Sequence, residues 1–253
     1  LGEPFRIKDE ETVFEDIEFA ARHMTRQRRL FLCDGDAMTI PLTRLTRILT
    51  RIGERLPRLT RIGAYASAKG LRGKSLDDLR LLKEQGLSMA YMGLESGDDA
   101  LLQSMGKEAG VAEMLEQAAK VRQAGLKLSV TVIVGLAGAH DWQRHARLTG
   151  EALTAMQPDH AAALSLIPVP GTPLWHDIKG GKFEQQNAHG MVRELRMLLE
   201  HTQMTRGLFL ADHASNHVPL KLRLPRDRAY GLELLDAALA GEKPLKPERA
   251  RGL

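Results

Sequence analysis

Nearly continuous apolar runs recur along the chain at residues 30–32, 62–66, 89–94, 128–134 and 161–167, with a weaker one at 208–211. Continuous runs, rather than alternating ones, are the pattern of strands buried on both faces. Amphipathic segments lie between them. Val13, Ile17, Ala20, Ala21 and Met24 share one face of a helix predicted over residues 9–24. Leu76, Leu79 and Leu82 line another, which opens with Ser75 three residues before Asp78, like a capping box, and stops at Gly86. Val111, Met114, Leu115, Ala118 and Val121 line a third, ended by Gly125. Strands and helices alternating at roughly 30-residue spacing imply right-handed βαβ units and a parallel sheet. Such an α/β sheet is either doubly wound or a barrel, and the pattern alone leaves both open.

After Pro168 the rhythm changes. ProValProGlyThrPro is a stiff turn, followed by helices predicted at 191–201 and 226–240 with a basic loop between them. The Pro- and charge-rich tail reads as frayed. The expected organisation is a core over residues 1–206 and an extension over 207–253 of strand, loop, helix and tail.

Composition narrows the function classes. The chain has 253 residues, 43% hydrophobic, enough for a full core. No apolar run approaches the roughly 20 residues of a membrane span, and the polar start LGEPFRIKDEETV is unlike a signal peptide. A cytoplasmic protein without a membrane partner is expected. The net charge of +4 is weak support for nucleic acid. Arg44, Arg47, Arg51, Arg55, Arg58 and Arg61 fall mostly along one helix face, opposite Leu45, Ile48, Leu49 and Ile52, and read as a solvated surface. The single cysteine, Cys33, can form no internal disulfide and cannot supply the thiolates of a cluster or structural zinc site. His213 and His217 are four apart, but the AlaSerAsn between them gives little helical support for a ligand pair. No metal site is expected in these residues.

In parallel sheets and barrels alike, chemistry sits at the carboxyl ends of the strands. After the first run comes CysAspGlyAspAla at 33–37, where a glycine between carboxylates suits an ammonium group or a plain turn. The second run leads to Tyr65, Ser67 and Lys69. The third ends in GlyLeuGluSerGlyAspAsp at 93–99. Glu95 there closely follows a buried strand, so it either pairs internally or faces a polar ligand. Ser96, Gly97 and Asp98 then open a helix whose free N–H groups favour polar groups. The fourth run carries Thr131 and ends in GlyLeuAlaGly at 135–138, small enough for a planar ring to lie on backbone. The fifth ends in the rigid 168–173 segment before Leu174 and Trp175.

Taken in register, GlyLeuGluSerGlyAspAsp, IleValGlyLeu at 133–136 and ProValProGlyThrPro at 168–173 resemble the radical S-adenosylmethionine (SAM) superfamily. The branch is the one with oxygen-independent coproporphyrinogen oxidases and related Fe–S oxidoreductases, and the likeness covers about residues 5–175. It implies a partial (β/α)6 parallel barrel, here lacking its first strand and carrying a C-terminal helical extension. It also implies SAM and a 4Fe–4S cluster as cofactors. An electron from the cluster would cleave SAM, and the resulting 5′-deoxyadenosyl radical would take hydrogen from an unknown substrate. An electron donor such as a flavodoxin or ferredoxin would be a partner. By position, Gly35 and Asp36 match the segment that receives the SAM amino group, with Asp34 in place of the family's first glycine and an acid one carbon shorter. Glu95, with Ser96 beside it, matches the residue approaching the ribose or methionine part. Thr131 falls where a ribose ligand is acidic in coproporphyrinogen oxidases. Gly135 lies in the adenine-facing segment, and Lys107 near an arginine for the SAM carboxylate. Ser67 joins the set from its strand-end position. No residue is singled out as catalytic.

The family's CysXxxXxxXxxCysXxxXxxCys loop has no counterpart in the sequence, and ProPheArgIle at 4–7 resembles its trailing edge. The expectation is an apolar strand and then those three cysteines upstream of Leu1, the last within roughly 15 residues. Two other functions stay open: a SAM-binding or scaffold relative without a cluster, and an ordinary barrel aldolase or lyase. The latter would need a strand-end lysine, for which Lys69 is the nearest candidate.

Overall fold

A computed structural model of the chain describes residues 6–33 and 35–252, so residues 1–5, Asp34 and Leu253 lie outside the described residues. The Asp9 carboxylate accepts the Glu11 and Thr12 N–H groups and opens α1, Glu10–His23. After β1, Arg29–Leu32, comes a 3-10 turn at Ala37–Thr39, and then α2, Leu42–Arg55. Leu45, Ile48, Leu49 and Ile52 of α2 are buried, as their spacing predicts. β2, Arg61–Tyr65, leads through the short α3, Ala68–Arg72, to α4, Leu76–Glu84. The Ser75 and Asp78 side chains cap each other's backbone at the start of α4, the reciprocal pair expected there. β3, Leu87–Glu95, α5, Asp99–Ser104, α6, Val111–Gln123, and β4, Lys127–Val134, follow. Then come α7, Trp142–Met156, β5, His160–Ser165, α8, Pro173–Lys179, and α9, Ala188–His201. β6, Leu208–Leu210, β7, Lys221–Arg223, and α10, Arg228–Leu239, complete the order.

The seven strands follow one another across the sheet in chain order, β1 to β7. β1 pairs parallel with β2, β2 with β3, and β5 with β6, whereas β7 returns antiparallel to β6. The result is an open, mostly parallel α/β sheet, the form of a partial barrel. β7 is a strand the sequence pattern does not announce: it is three residues long and buries one side chain.

The chain packs as two units, Leu1–Gly93 with Glu116–Ser129, and Leu94–Leu115 with Val130–Leu253. In the first unit, β2 bulges at Ile62 and Gly63, and the Ser88 hydroxyl accepts the Ile62 N–H and donates to the Ile62 carbonyl. A Cβ on Gly63 would lie 2.9 Å from the Tyr91 ring, so only glycine lets Phe31 and Tyr91 meet edge to face across β2, 4.9 Å between centroids.

The arginines read as a solvated surface stay partly exposed, and four of them also bind α1. Arg47 forks onto Glu10 at 2.8 and 2.7 Å, with Arg44 3.6 Å from it, while Arg51 and Arg55 meet on Glu18. Glu10 and Glu18 are eight residues apart, as are Arg47 and Arg55, so the two helices match in register. The tail, expected to fray, is tied down within the second unit. Lys246 N–H donates to the His217 carbonyl at 2.9 Å, and the Arg251 guanidinium donates to the Leu166 and Ser215 carbonyls at 2.6 and 2.5 Å.

Candidate functional site

In the first unit the chain leaves β1 through Gly35, whose φ of +124° no side chain favours, and reaches Asp36. One Asp36 oxygen accepts the Met38 N–H at 2.9 Å and caps the 3-10 turn; the other accepts the Ser67 hydroxyl. Ser67 also accepts the Gly70 N–H at 3.0 Å and so starts α3. The structure therefore joins Asp36 and Ser67, residues that the sequence places after different strands. Buried Lys74 holds the same turn from beneath, donating to the Met38 carbonyl at 2.7 Å. Burial pushes its amine below the ordinary lysine range, partly offset by the charges of Asp78 and Asp36. Gly35 and Asp36 border a cavity of about 320 Å³ walled by Ile17, Leu30, Leu32 and Ile48.

In the second unit, residues 94–99 of the heptad divide into an outward and an inward part. Glu95 ends β3 in the left-handed region at φ +64°, a strained place for a residue with a side chain. Its carboxylate meets the Lys107 ammonium at 3.2 Å, both groups partly exposed. Ser96 is fully buried, with its hydroxyl accepting the Asp98 N–H at 2.9 Å. Gly97 donates to the Thr149 hydroxyl at 2.9 Å and lies so close to α7 that a Cβ would sit 2.6 Å from the Thr149 nitrogen. Asp98 caps α5 through the Ala100 N–H at 3.0 Å. Glu95 and Lys107 are thus brought together, whereas Ser96 shapes the turn from inside. Thr131 is half-buried on β4, and Gly135, just past the strand, is buried at φ +89°.

Arg144, Thr149, His145, Glu194 and Gln186 also shape these turns and lie on or beside helices, away from the strand ends that drew attention in the sequence. Glu194 leaves one trace there: it is an acid among Met191, Val192, Leu195 and Leu198, on the face of α9 that is buried.

A 4Fe–4S cluster needs several thiolates, and these residues supply one, the exposed Cys33. Among the described residues no three His, Cys, Asp or Glu side chains stand where they could hold a metal ion. The residues described do not fit a cluster. Each unit by itself offers polar groups: the first the Asp36 carboxylate held by Ser67, the second the Glu95 carboxylate beside the Lys107 ammonium and a backbone without a side chain at Gly135.

A sequence profile of the radical SAM superfamily matches residues 2–148. No curated protein matches the chain. Among solved structures, Elp3 of the archaeon Methanocaldococcus infernus, with an N-terminal deletion, is 14% identical at a TM-score of 0.59, over 92% of this chain and 59% of that one. Coproporphyrinogen III oxidase from Escherichia coli, a radical SAM enzyme, is 13% identical at 0.58, over 76% and 45%. Methylornithine synthase is 14% identical at 0.55, over 78% and 55%. At such identities the likeness is one of fold. The chain spans less than two thirds of each of these proteins.

Proposed function

Since this chain belongs to the radical SAM superfamily, we propose that it supplies the SAM-binding residues of an enzyme that cleaves SAM reductively. Bound SAM would supply, on taking up one electron, methionine and a 5′-deoxyadenosyl radical able to remove hydrogen from a substrate. The chain's own residues bind and orient. Asp36, held in place by Ser67 and set against Gly35, receives the ammonium group. Lys107 meets the carboxylate, and Glu95 the ribose hydroxyls. Thr131 donates or accepts at the ribose, Ser96 fixes the turn that presents Glu95, and the Gly135 backbone faces the adenine. A flavodoxin- or ferredoxin-like protein would be the electron donor. No helix among the described residues is long and apolar enough to cross a membrane, and a cytoplasmic setting goes with the proposal.

The backbone of Glu95 carries this reading. A non-glycine residue in the left-handed region costs on the order of 1 kcal/mol or more and clusters at functional sites. Glycine would sit there without strain, so the side chain is the reason for accepting the strain. The test is a calorimetric titration of SAM into the complete protein and its Glu95→Gln variant. The expected result is affinity weakened at least about tenfold, as for loss of a charged hydrogen bond, with little change in melting temperature. Equal affinities would leave Glu95 as a structural partner of Lys107.

A second reading is SAM binding without radical chemistry. Anaerobic reconstitution of the complete protein with iron and sulfide separates the two. Four irons per chain support the first reading, and a protein that binds SAM but no iron supports the second. These 253 residues alone should take up no stoichiometric four-iron cluster, since they contain one cysteine.

A further inference from the structure

The turn after β4 is fixed from outside itself. Gly135 has left the strand, and its N–H donates to Glu194 Oε1 on α9 at 2.8 Å. Four residues on, the Ala139 N–H donates to the Glu184 carbonyl at 2.9 Å, in the connection between α8 and α9. A Cβ on Gly138 would stand 2.9 Å from that same carbonyl. The turn is therefore pinned at both ends by α9 and the segment leading into it.

Glu194 is 0% exposed. Its described partners are the Gly135 N–H, His145 Nδ1 at 2.9 Å from α7, and the Gln186 amide, with no lysine or arginine among them. A carboxylate buried in this way is a poor source of stability, since an apolar side chain of the same size packs a helix face at no desolvation cost. What the carboxylate supplies that an apolar group cannot is an acceptor at one defined point, and the backbone donor aimed at that point is Gly135. His145 and Gln186 in turn hold the carboxylate's rotamer.

We propose that Glu194 is a positioning residue for SAM: by accepting the Gly135 N–H it sets the peptide plane on which the adenine rests. This rests on the SAM-binding reading above. The role requires an acceptor rather than a charge, which separates it from a general contribution to packing. In Glu194→Gln the amide oxygen can still accept from Gly135, and Gln186 can turn its oxygen, buried without a hydrogen-bond partner in the present arrangement, toward the new amide. In Glu194→Leu the volume stays and the acceptor goes.

The experiment is SAM titration by calorimetry into the complete protein, with Leu198→Ala, four residues along the buried face of α9, as a variant that destabilises the helix and keeps the Glu194 acceptor. Amide hydrogen exchange over residues 133–141 runs in parallel. Glu194→Leu should weaken SAM about tenfold, the weight of one buried hydrogen bond to a charged group, and speed exchange in 133–141. Glu194→Gln and Leu198→Ala should bind within about twofold of the native protein, less than half a tenfold step. SAM affinity in Glu194→Leu equal to that of Leu198→Ala would overturn the positioning role and leave SAM binding intact. A native protein that binds no SAM would overturn both. The native protein alone gives a check that needs no variant to fold: the Gly135 amide should be protected before SAM is added. Free exchange at Gly135 without SAM would overturn the proposal.

Discussion

Arg144 reaches from α7 onto Asp98 with both sides of its guanidinium, Nε to Oδ2 at 2.9 Å and Nη2 to Oδ1 at 3.1 Å. The two partners are unequally placed. The Asp98 side chain is 8% exposed and also caps α5, whereas that of Arg144 is 60% exposed. Removing the arginine leaves the carboxylate its cap bond and a path to water. Removing the carboxylate strips the cap of α5 and takes the partner of Arg144 with it. Arg144→Ala should therefore cost about 1 kcal/mol or less, and Asp98→Ala about 2–3 kcal/mol, read as shifts in urea midpoint. The reverse order would show that the ion pair, not the cap, holds the turn.

Two glycines should respond in opposite directions. A Cβ on Gly70 would strike Asp36 Oδ2 and come within 2.8 Å of Met38 Cβ, whereas one on Gly53, exposed in α2, meets nothing within 4 Å. Gly70→Ala should destabilise by about 1–3 kcal/mol through overpacking. Gly53→Ala should stabilise by roughly 0.5–1 kcal/mol through helix propensity and lost unfolded-state freedom. Thermal melts of the two variants side by side check both.

Strain at Glu95 makes a trade-off visible. Glu95→Gly releases a left-handed residue with φ +64° and also removes the carboxylate that meets Lys107. The expected outcome is a protein up to about 1 kcal/mol more stable, net of a partly exposed ion pair, that binds SAM more weakly. A less stable variant would mean that the Lys107 pair outweighs the backbone strain.

Acid sensitivity has an identifiable contributor at the start of α10. The Arg226 guanidinium, donating at 2.6 and 3.1 Å, and the Arg223 N–H at 2.8 Å hold the Asp227 carboxyl at about 2, down from an ordinary 3.8. A carboxyl depressed by folding contributes stability that is fully present above its unfolded value and is lost as pH falls through the folded one. The gap in stability between the native protein and Asp227→Asn should be constant above pH 3.8 and close toward pH 2. Denaturant midpoints measured across that range give the result directly, and a gap that persists unchanged at pH 2 would refute the assignment.

Much of the fold is legible in the sequence because a strand buried on both faces writes itself as an unbroken apolar run. β3 and β4 sit where the runs at 89–94 and 128–134 place them, one or two residues longer at an end. The Ser75–Asp78 cap is equally plain, since both of its partners are three residues apart. What fails to show is whatever depends on a partner distant in sequence or on too few residues. Nothing local tells Arg55 that Glu18 lies opposite it, and three residues of β7 are too short for a period. The tail reads as frayed because its prolines and charges argue against a helix, yet its order comes from carbonyls at His217, Ser215 and Leu166. At the candidate site, the residue types at the strand ends are readable, but the left-handed backbone of Glu95 and the union of Asp36 with Ser67 are not.

The bond from Gly135 to Glu194 bears on how this protein can be dissected. The superfamily profile stops at residue 148, inside α7, which runs to Met156. A truncation drawn at that border would sever α7 mid-helix and discard α9, leaving the Gly135 amide with no acceptor and His145 without its carboxylate. A fragment chosen by sequence similarity would thus keep the turn after β4 in name and lose its shape, because the acceptor that shapes it is encoded 59 residues downstream.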